Sequence, residues 1–210
     1  MKKGIQIFLG LVIVALIYVV ADMIHTPLKF EQQLKSRNAD VIVKLKDIRA
    51  AERAFKSKYQ HFTSDFDSLI NFILNDSLEL ERKLVDEDDS VAMAQLKKAK
   101  KQNIEKYNLA VIDTIFNPRK LTKEQVNDLR FIPHTNGVQF ILEAGKVMTG
   151  SNVEVPVVEC RAPYKLYLDT VEFRQNVINL IDDKVNNFNE YAGLKFGSME
   201  GSNNEAGNWE

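Results

Sequence analysis

The chain is predicted to be an α+β protein in which an N-terminal transmembrane helix merges into a long amphipathic helix. That helix is expected to pack, with short helices, on a small antiparallel sheet. Three observations lead there. An apolar run fills residues 5–24, apolar residues then recur every seven positions, and beyond residue 130 branched and aromatic runs alternate with turn dipeptides. Residues 1–4 form a short basic, cytoplasmic N-terminus, 5–24 the transmembrane helix and 25–62 the amphipathic helix. Residues 63–197 form an α+β head, and 198–210 a flexible tail.

A chain of 210 residues with 45% hydrophobic content can build one sizeable core. A net charge of −1 gives no reason to expect nucleic acid as a partner. The single cysteine, Cys160, excludes an intrachain disulfide framework and leaves the compartment open.

The first element runs IQIFLGLVIVALIYVVADMI from Ile5 to Ile24. Twenty helical residues rise about 30 Å, the thickness of a bilayer's hydrocarbon core. Twelve Ile, Leu, Val and Phe side chains between Ile5 and Val20 contribute roughly −4 to −7 kcal/mol towards insertion. Lys2 and Lys3 precede the span and favour a cytoplasmic N-terminus. The expected location is therefore the inner membrane, single-pass, with the C-terminal domain periplasmic and the lipid bilayer as a partner. A cleaved secretory signal is the rival, with Val19-Val20-Ala21 as its cut, but the apolar run continues past that point to Ile24.

Pro27 is expected to kink the helix that follows. Leu34, Val41, Ile48, Phe55 and Phe62 then mark a stripe with a strict step of seven, flanked by Leu45, Ala51 and Tyr59. This predicts an amphipathic helix from about Lys29 to Gln60. The stripe suits the chain's own core; its step also suits a coiled-coil seam, which Asn38 and Glu52 interrupt.

Ser64 and Asp67 have capping-box spacing before a short helix that buries Phe66, Leu69, Ile70 and Ile73. The acidic run Asp86–Asp89 is expected to start a helix from Val91 to Phe116 that carries the Lys97, Lys98, Lys100, Lys101 cluster on a wet face. Thr122 and Gln125 cap another short helix. Strands are expected over 130–132, 138–143, 146–148 and 153–168, with turns at Asn136-Gly137, Ala144-Gly145 and 149–152. Pro156 and Pro163 suggest an edge strand, a bulge or a bend. Asp169 and Glu172 open a last helix with Phe173, Val177, Leu180, Ile181, Val185 and Phe188 as its buried stripe and Gly193 as its stop. In the tail, Trp209 is the one residue suited to docking.

Met1-Lys2-Lys3-Gly4 followed by Ile5 looks like a short basic leader cut after glycine, and Pro27 lies close to the usual kink of a pilin helix. The stretch from Ile48 to Tyr59, followed by Phe66-Asp67-Ser68-Leu69, is similar to the end of the long helix in pseudopilins. On these residues the first third of the chain resembles type IV pilin-like proteins and the pseudopilins of type II secretion. The resemblance implies a leader-processing site at Gly4 and Ile5, and assembly with other envelope proteins or with itself through the N-terminal helix. Two positions depart from the pattern. Leu9 stands where most pilins carry a glutamate that pairs with a neighbour's amine, and Gln60-His61-Phe62-Thr63 replaces a Gly-x-Tyr-Pro phrase. The missing glutamate implies an accessory role rather than a main filament subunit. Phrases at 129–133, 160–164 and 191–198 also resemble uncharacterised single-pass envelope proteins of Bacteroides-like bacteria, which carry no known activity.

No catalytic, metal or cofactor residues are expected. His25, His61 and His134 are far apart in sequence, and neither a nucleophile elbow nor a phosphate-binding glycine loop is present. Cys160 reads as a buried, apolar-like thiol. Arg161 projects from a strand towards either a partner or an internal carboxylate. The functional expectation is assembly or scaffolding without enzymatic activity; the alternative is an anchored periplasmic ligand-binding module.

Overall fold

The structure, a computed structural model, describes residues 2–86, 88, 89, 94, 98 and 103–210. One helix, α1 (Lys2–Tyr59), takes 58 residues and continues through Pro27; at 1.5 Å per residue it extends roughly 87 Å. It stops where Gln60 turns left-handed (φ 63°) and returns its N–H to the Lys56 carbonyl at 2.8 Å. Lys56 and Lys58 in the last turn complement the negative end of the helix dipole.

The two halves of α1 differ in environment. From Phe8 to Ile24 every residue is exposed, and this stretch is long and apolar enough to cross a membrane. From Phe30 onward one face is buried: Phe30, Val41, Leu45, Ile48, Ala51 and Phe55 enter the core of the head. Of the expected stripe, Val41 and Ile48 are fully buried and Phe55 nearly so, while Leu34 packs at the margin. Phe62 joins the same core from just beyond the helix end. The stripe is thus occupied by its own head.

Helix α2 (Phe66–Asn75) buries Phe66, Leu69, Ile70 and Ile73 as expected, and Phe72 with them. Its cap is Asp65, one residue beyond Ser64; the Asp65 carboxylate accepts from the amides of Asp67 and Ser68. Strands β1 (Ser77–Lys83) and β2 (Ile104–Ala110) then pair antiparallel as a largely exposed two-stranded ribbon. This corrects the helix expected from Val91 to Phe116 over 104–110, whereas 111–115 is helical as expected. Between Val91 and Gln102 only Ala94 and Lys98 are described, and the rest of that expectation, including Lys97, Lys100 and Lys101, lies outside the described residues. The ribbon forms because Leu78 and Leu80 alternate with charges and meet Leu109 and Tyr107 across the ladder. Arg82 pairs with Glu105, and Lys106 with Glu79 and Glu81.

Two short helices follow, α3 (Val111–Ile115) and α4 (Lys123–Asn127). The latter carries the expected capping box: Thr122 accepts from the Gln125 amide, and the Gln125 side chain accepts from the Thr122 amide. A 3-10 turn over 128–130 takes in the first residue of the strand expected at 130–132, of which a single antiparallel bridge, Phe131 to Gln139, is formed. Gly137, at φ 76°, still turns the chain so that the Ile132 amide reaches the Val138 carbonyl at 2.8 Å.

A three-stranded antiparallel sheet of order β3-β4-β5 covers α1. Strand β3 (Ile141–Met148) runs straight through Ala144-Gly145, where a turn was expected, because β4 pairs with it without interruption from Ile141↔Arg161 to Met148↔Glu154. Strand β4 (Glu154–Pro163) is central rather than an edge. Its prolines are tolerated by position. Pro156 lies beyond the reach of β5 (Gly193–Gly197), which pairs only with 159–163, and Pro163 ends the strand. Residues 164–167 form one helical turn, α5 (Tyr164–Tyr167), where strand was expected.

The last helix, α6 (Arg174–Asp182), is shorter than expected and passes into a π-helical turn over 183–187. A π turn inserts an extra residue and rotates the following side chains off the helical stripe. Phe173 and Val177 are therefore buried while Val185 and Phe188 are exposed. Gly193, expected to stop a helix, begins β5. Gly197 (φ 74°) ends that strand so close to β4 that a Cβ would lie 1.9 Å from the Val158 carbonyl oxygen.

Candidate functional site

The face that α1 turns towards the head is apolar, yet it carries several polar residues, and three of them meet partners from different parts of the chain. Asn38 accepts a hydrogen bond from the Tyr167 hydroxyl at 2.7 Å. Asp47, 7% exposed, forms an ion pair with Arg119. Glu52, fully buried, accepts from the Thr63 amide at 3.1 Å through Oε2, while its Oε1 has no hydrogen-bond partner. Lys44 adds a fourth link by donating to the carbonyls of Asp128 and Phe131. Apolar stripes slide at little cost; a polar group in such a stripe does not, because displacement leaves it buried and unpaired. These residues therefore set the register of the head on its helix.

Burial dominates the chemistry of this seam. It pushes the Glu52 carboxyl up to about 8, and the Thr63 amide offsets this only in part. Burial likewise raises Asp47 against the opposing pull of Arg119, and lowers Lys44. Cys160, on β4, is fully buried, and burial together with the nearby Glu52 holds its thiol well above the usual range. A thiol so placed is a packing group and a poor nucleophile.

On the far end of α1, Arg49, Arg53 and Lys56 face the C-terminus. Arg53 meets the Glu205 carboxylate at 3.0 Å and the Asn204 carbonyl at 2.8 Å; Arg49 meets Glu210 at 2.8 Å. Trp209 is half-buried against the core, with the Arg49 guanidinium 5.8 Å from its ring centre. Residues 198–210, expected as a flexible tail, are thus described as a clasp on the helix. Charge pattern was the available signal, since Glu205 and Glu210 complement three cations spaced at 49, 53 and 56 on one helical face.

Gly4 and Ile5 lie in the first turns of α1, with Gly4 exposed. Arg161 pairs with Glu143 at 2.7 Å and approaches Glu159 at 3.3 Å, and Lys195 meets the other Glu159 oxygen at 3.2 Å. Its carboxylates are internal to the sheet, so Arg161 ties β3 to β4. The histidines are separate: His25 is exposed on α1, His61 packs its ring 5.5 Å from that of Phe55, and His134 bonds Asp40 at 2.7 Å. Among the described residues no group of His, Cys, Asp and Glu is arranged to hold a metal ion. The surface depressions are lined by unlike sets of residues, as in the one bordered by Lys29, Gln33, Arg37, His134 and Glu172. Comparison of the chain with protein-family models, curated proteins and solved structures returns no match.

Proposed function

We propose that this chain is a single-pass, membrane-anchored envelope protein whose pilin- or pseudopilin-like head serves in protein assembly or scaffolding. Its N-terminus lies in the cytoplasm and its head in the periplasm. The observation that carries the reading is the continuity of α1. One helix presents an apolar surface on all sides from Phe8 to Ile24 and then becomes the spine of the head. A helix apolar all round requires a non-aqueous surrounding, and a bilayer supplies it over this length. The polar contacts of Asn38, Asp47 and Glu52 make spine and head one unit, so position in the membrane becomes position of the head. Assembly is favoured over ligand capture by the side of α1 away from the head. There Ala39, Val43 and Lys46 remain exposed along two turns, and the uncharged pair Ala39 and Val43 offers a contact to another helix.

The intact mass of the protein purified from its native membrane tests this. Loss of Met1 through Gly4 with a methyl group on Ile5 is the outcome expected for the pilin-processing pathway. An N-terminus that retains Lys2 and Lys3 removes that pathway and leaves a permanent anchor carrying a lone scaffold or binding module.

A further inference from the structure

Between α5 and α6 the chain makes a tight turn. The Asp169 carboxylate accepts from the amides of Val171 at 2.9 Å and Glu172 at 3.0 Å, and the Phe173 amide returns to the Asp169 carbonyl at 3.3 Å. The turn presents Val171 to solvent with 92% of its surface exposed, more than Tyr18 at 74% within the apolar segment of α1. Two residues later Phe173 is buried, its ring centre 5.7 Å from that of Phe30. That contact fixes the height of the turn. Phe30 follows Ile24 by six residues, about 9 Å along the helix, and the headgroup layer beyond the hydrocarbon is about 5–8 Å deep. Glu172 and Phe173 border the same depression as Lys29, one turn beyond the apolar segment. An ordinary tilt of about 20° directed towards the turn lowers a point roughly 10 Å off the axis by about 3–4 Å more.

We infer that this turn rests in the phospholipid headgroup layer, with the Val171 side chain inserted between lipids as a second contact beside α1. The inference rests on the membrane-anchored reading. A lipid surface fits better than a protein because the exposed apolar surface of α1 runs through Ile24 and Leu28 to the level of the turn. Lys29 and Arg174 beside it are exposed and form no ion pair among the described residues, which suits lipid phosphates. Two contacts on one rigid spine restrain rotation of the head as well as its height.

The full chain, reconstituted in phosphatidylethanolamine–phosphatidylglycerol vesicles, tests this with an environment-sensitive fluorophore on single introduced cysteines. Unaltered protein, whose Cys160 is buried, is the labelling blank. Val171→Cys is compared with Leu16→Cys in the apolar segment and with Val153→Cys in the β3–β4 turn, which lies at the opposite end of the head. Spin-labelled lipids are expected to quench Val171→Cys strongly when the spin label is near the headgroup, and Leu16→Cys when it is deep, with Val153→Cys unaffected. Quenching of Leu16→Cys with none at Val171→Cys overturns the inference and leaves the anchor standing. A blue-shifted but unquenched label at 171 overturns it in favour of a protein cover, and an unquenched Leu16→Cys overturns the anchored reading along with it.

Discussion

The two halves of α1 have similar apolar residues and opposite environments. Leu16 is 58% exposed and Ile48 fully buried on one continuous helix. The difference lies in the arrangement of the polar residues. Across Phe8–Ile24 nothing charged appears before Asp22, so no side of the helix prefers water. Across Phe30–Tyr59 charged and polar residues predominate on the exposed sides, and the buried face also contains Asn38, Asp47 and Glu52. The first half is suited to any apolar surrounding; the second accepts one partner in one register.

The largest test of this contrast is truncation of the same kind in each half. Ile48→Ala is expected to destabilise the head by about 2–5 kcal/mol through the cavity it leaves. Leu16→Ala should leave it unchanged to within about 0.5 kcal/mol. Denaturant unfolding of the full chain in micelles, followed through Trp209, measures both.

Glu52 supplies the next test. The folded chain holds its proton up to about pH 8, whereas a free glutamate releases it near 4.5. Between these values the folded state binds more protons, so stability falls as pH rises, by at most about 1.4 kcal/mol per pH unit from this group. Glu52→Gln should flatten that slope, so that its stability relative to the unaltered chain is higher at pH 8 than at pH 5. An unchanged slope in unfolding curves across this range would show that Glu52 is ionised when folded.

A smaller effect is expected from Tyr167→Phe, which removes only the hydroxyl bonded to Asn38. A loss of about 1–2 kcal/mol follows from leaving the Asn38 oxygen unpaired. Pairing it with Asn38→Ala in a double-mutant cycle isolates the contact. The smallest effect is expected in the first half: Leu9→Glu should not release the protein from the membrane fraction. A carboxylate costs about 2.5–3.5 kcal/mol at a helix centre and less near its end, and eleven strongly apolar residues remain.

Much of α1 and its stripe was legible because helical burial repeats with a short local period. Val41, Ile48 and Phe55 follow directly from it. The polar interruptions at Asn38 and Glu52 were visible too, but as defects in a seam; only their partners Tyr167 and Thr63 turn them into contacts that set register. For Arg161 the sequence allows both a partner and an internal carboxylate, and Glu143 and Glu159 supply the latter. The ribbon was missed because the alternation in Ser77–Lys83 has meaning only beside its partner strand, more than twenty residues away.

Residues within a few turns of one another specify where α1 is helical, where it is apolar all round and which side it buries. Hydrophobic period and span length are local quantities, and they alone set the expectation of an anchor and a spine. Folding decided that Gly145 continues a strand, that a π turn takes Val185 and Phe188 out of the core, and that Glu52 is buried with one oxygen unpaired. Strand pairing, helix register and desolvation all depend on which groups arrive from elsewhere in the chain, and no local window contains them.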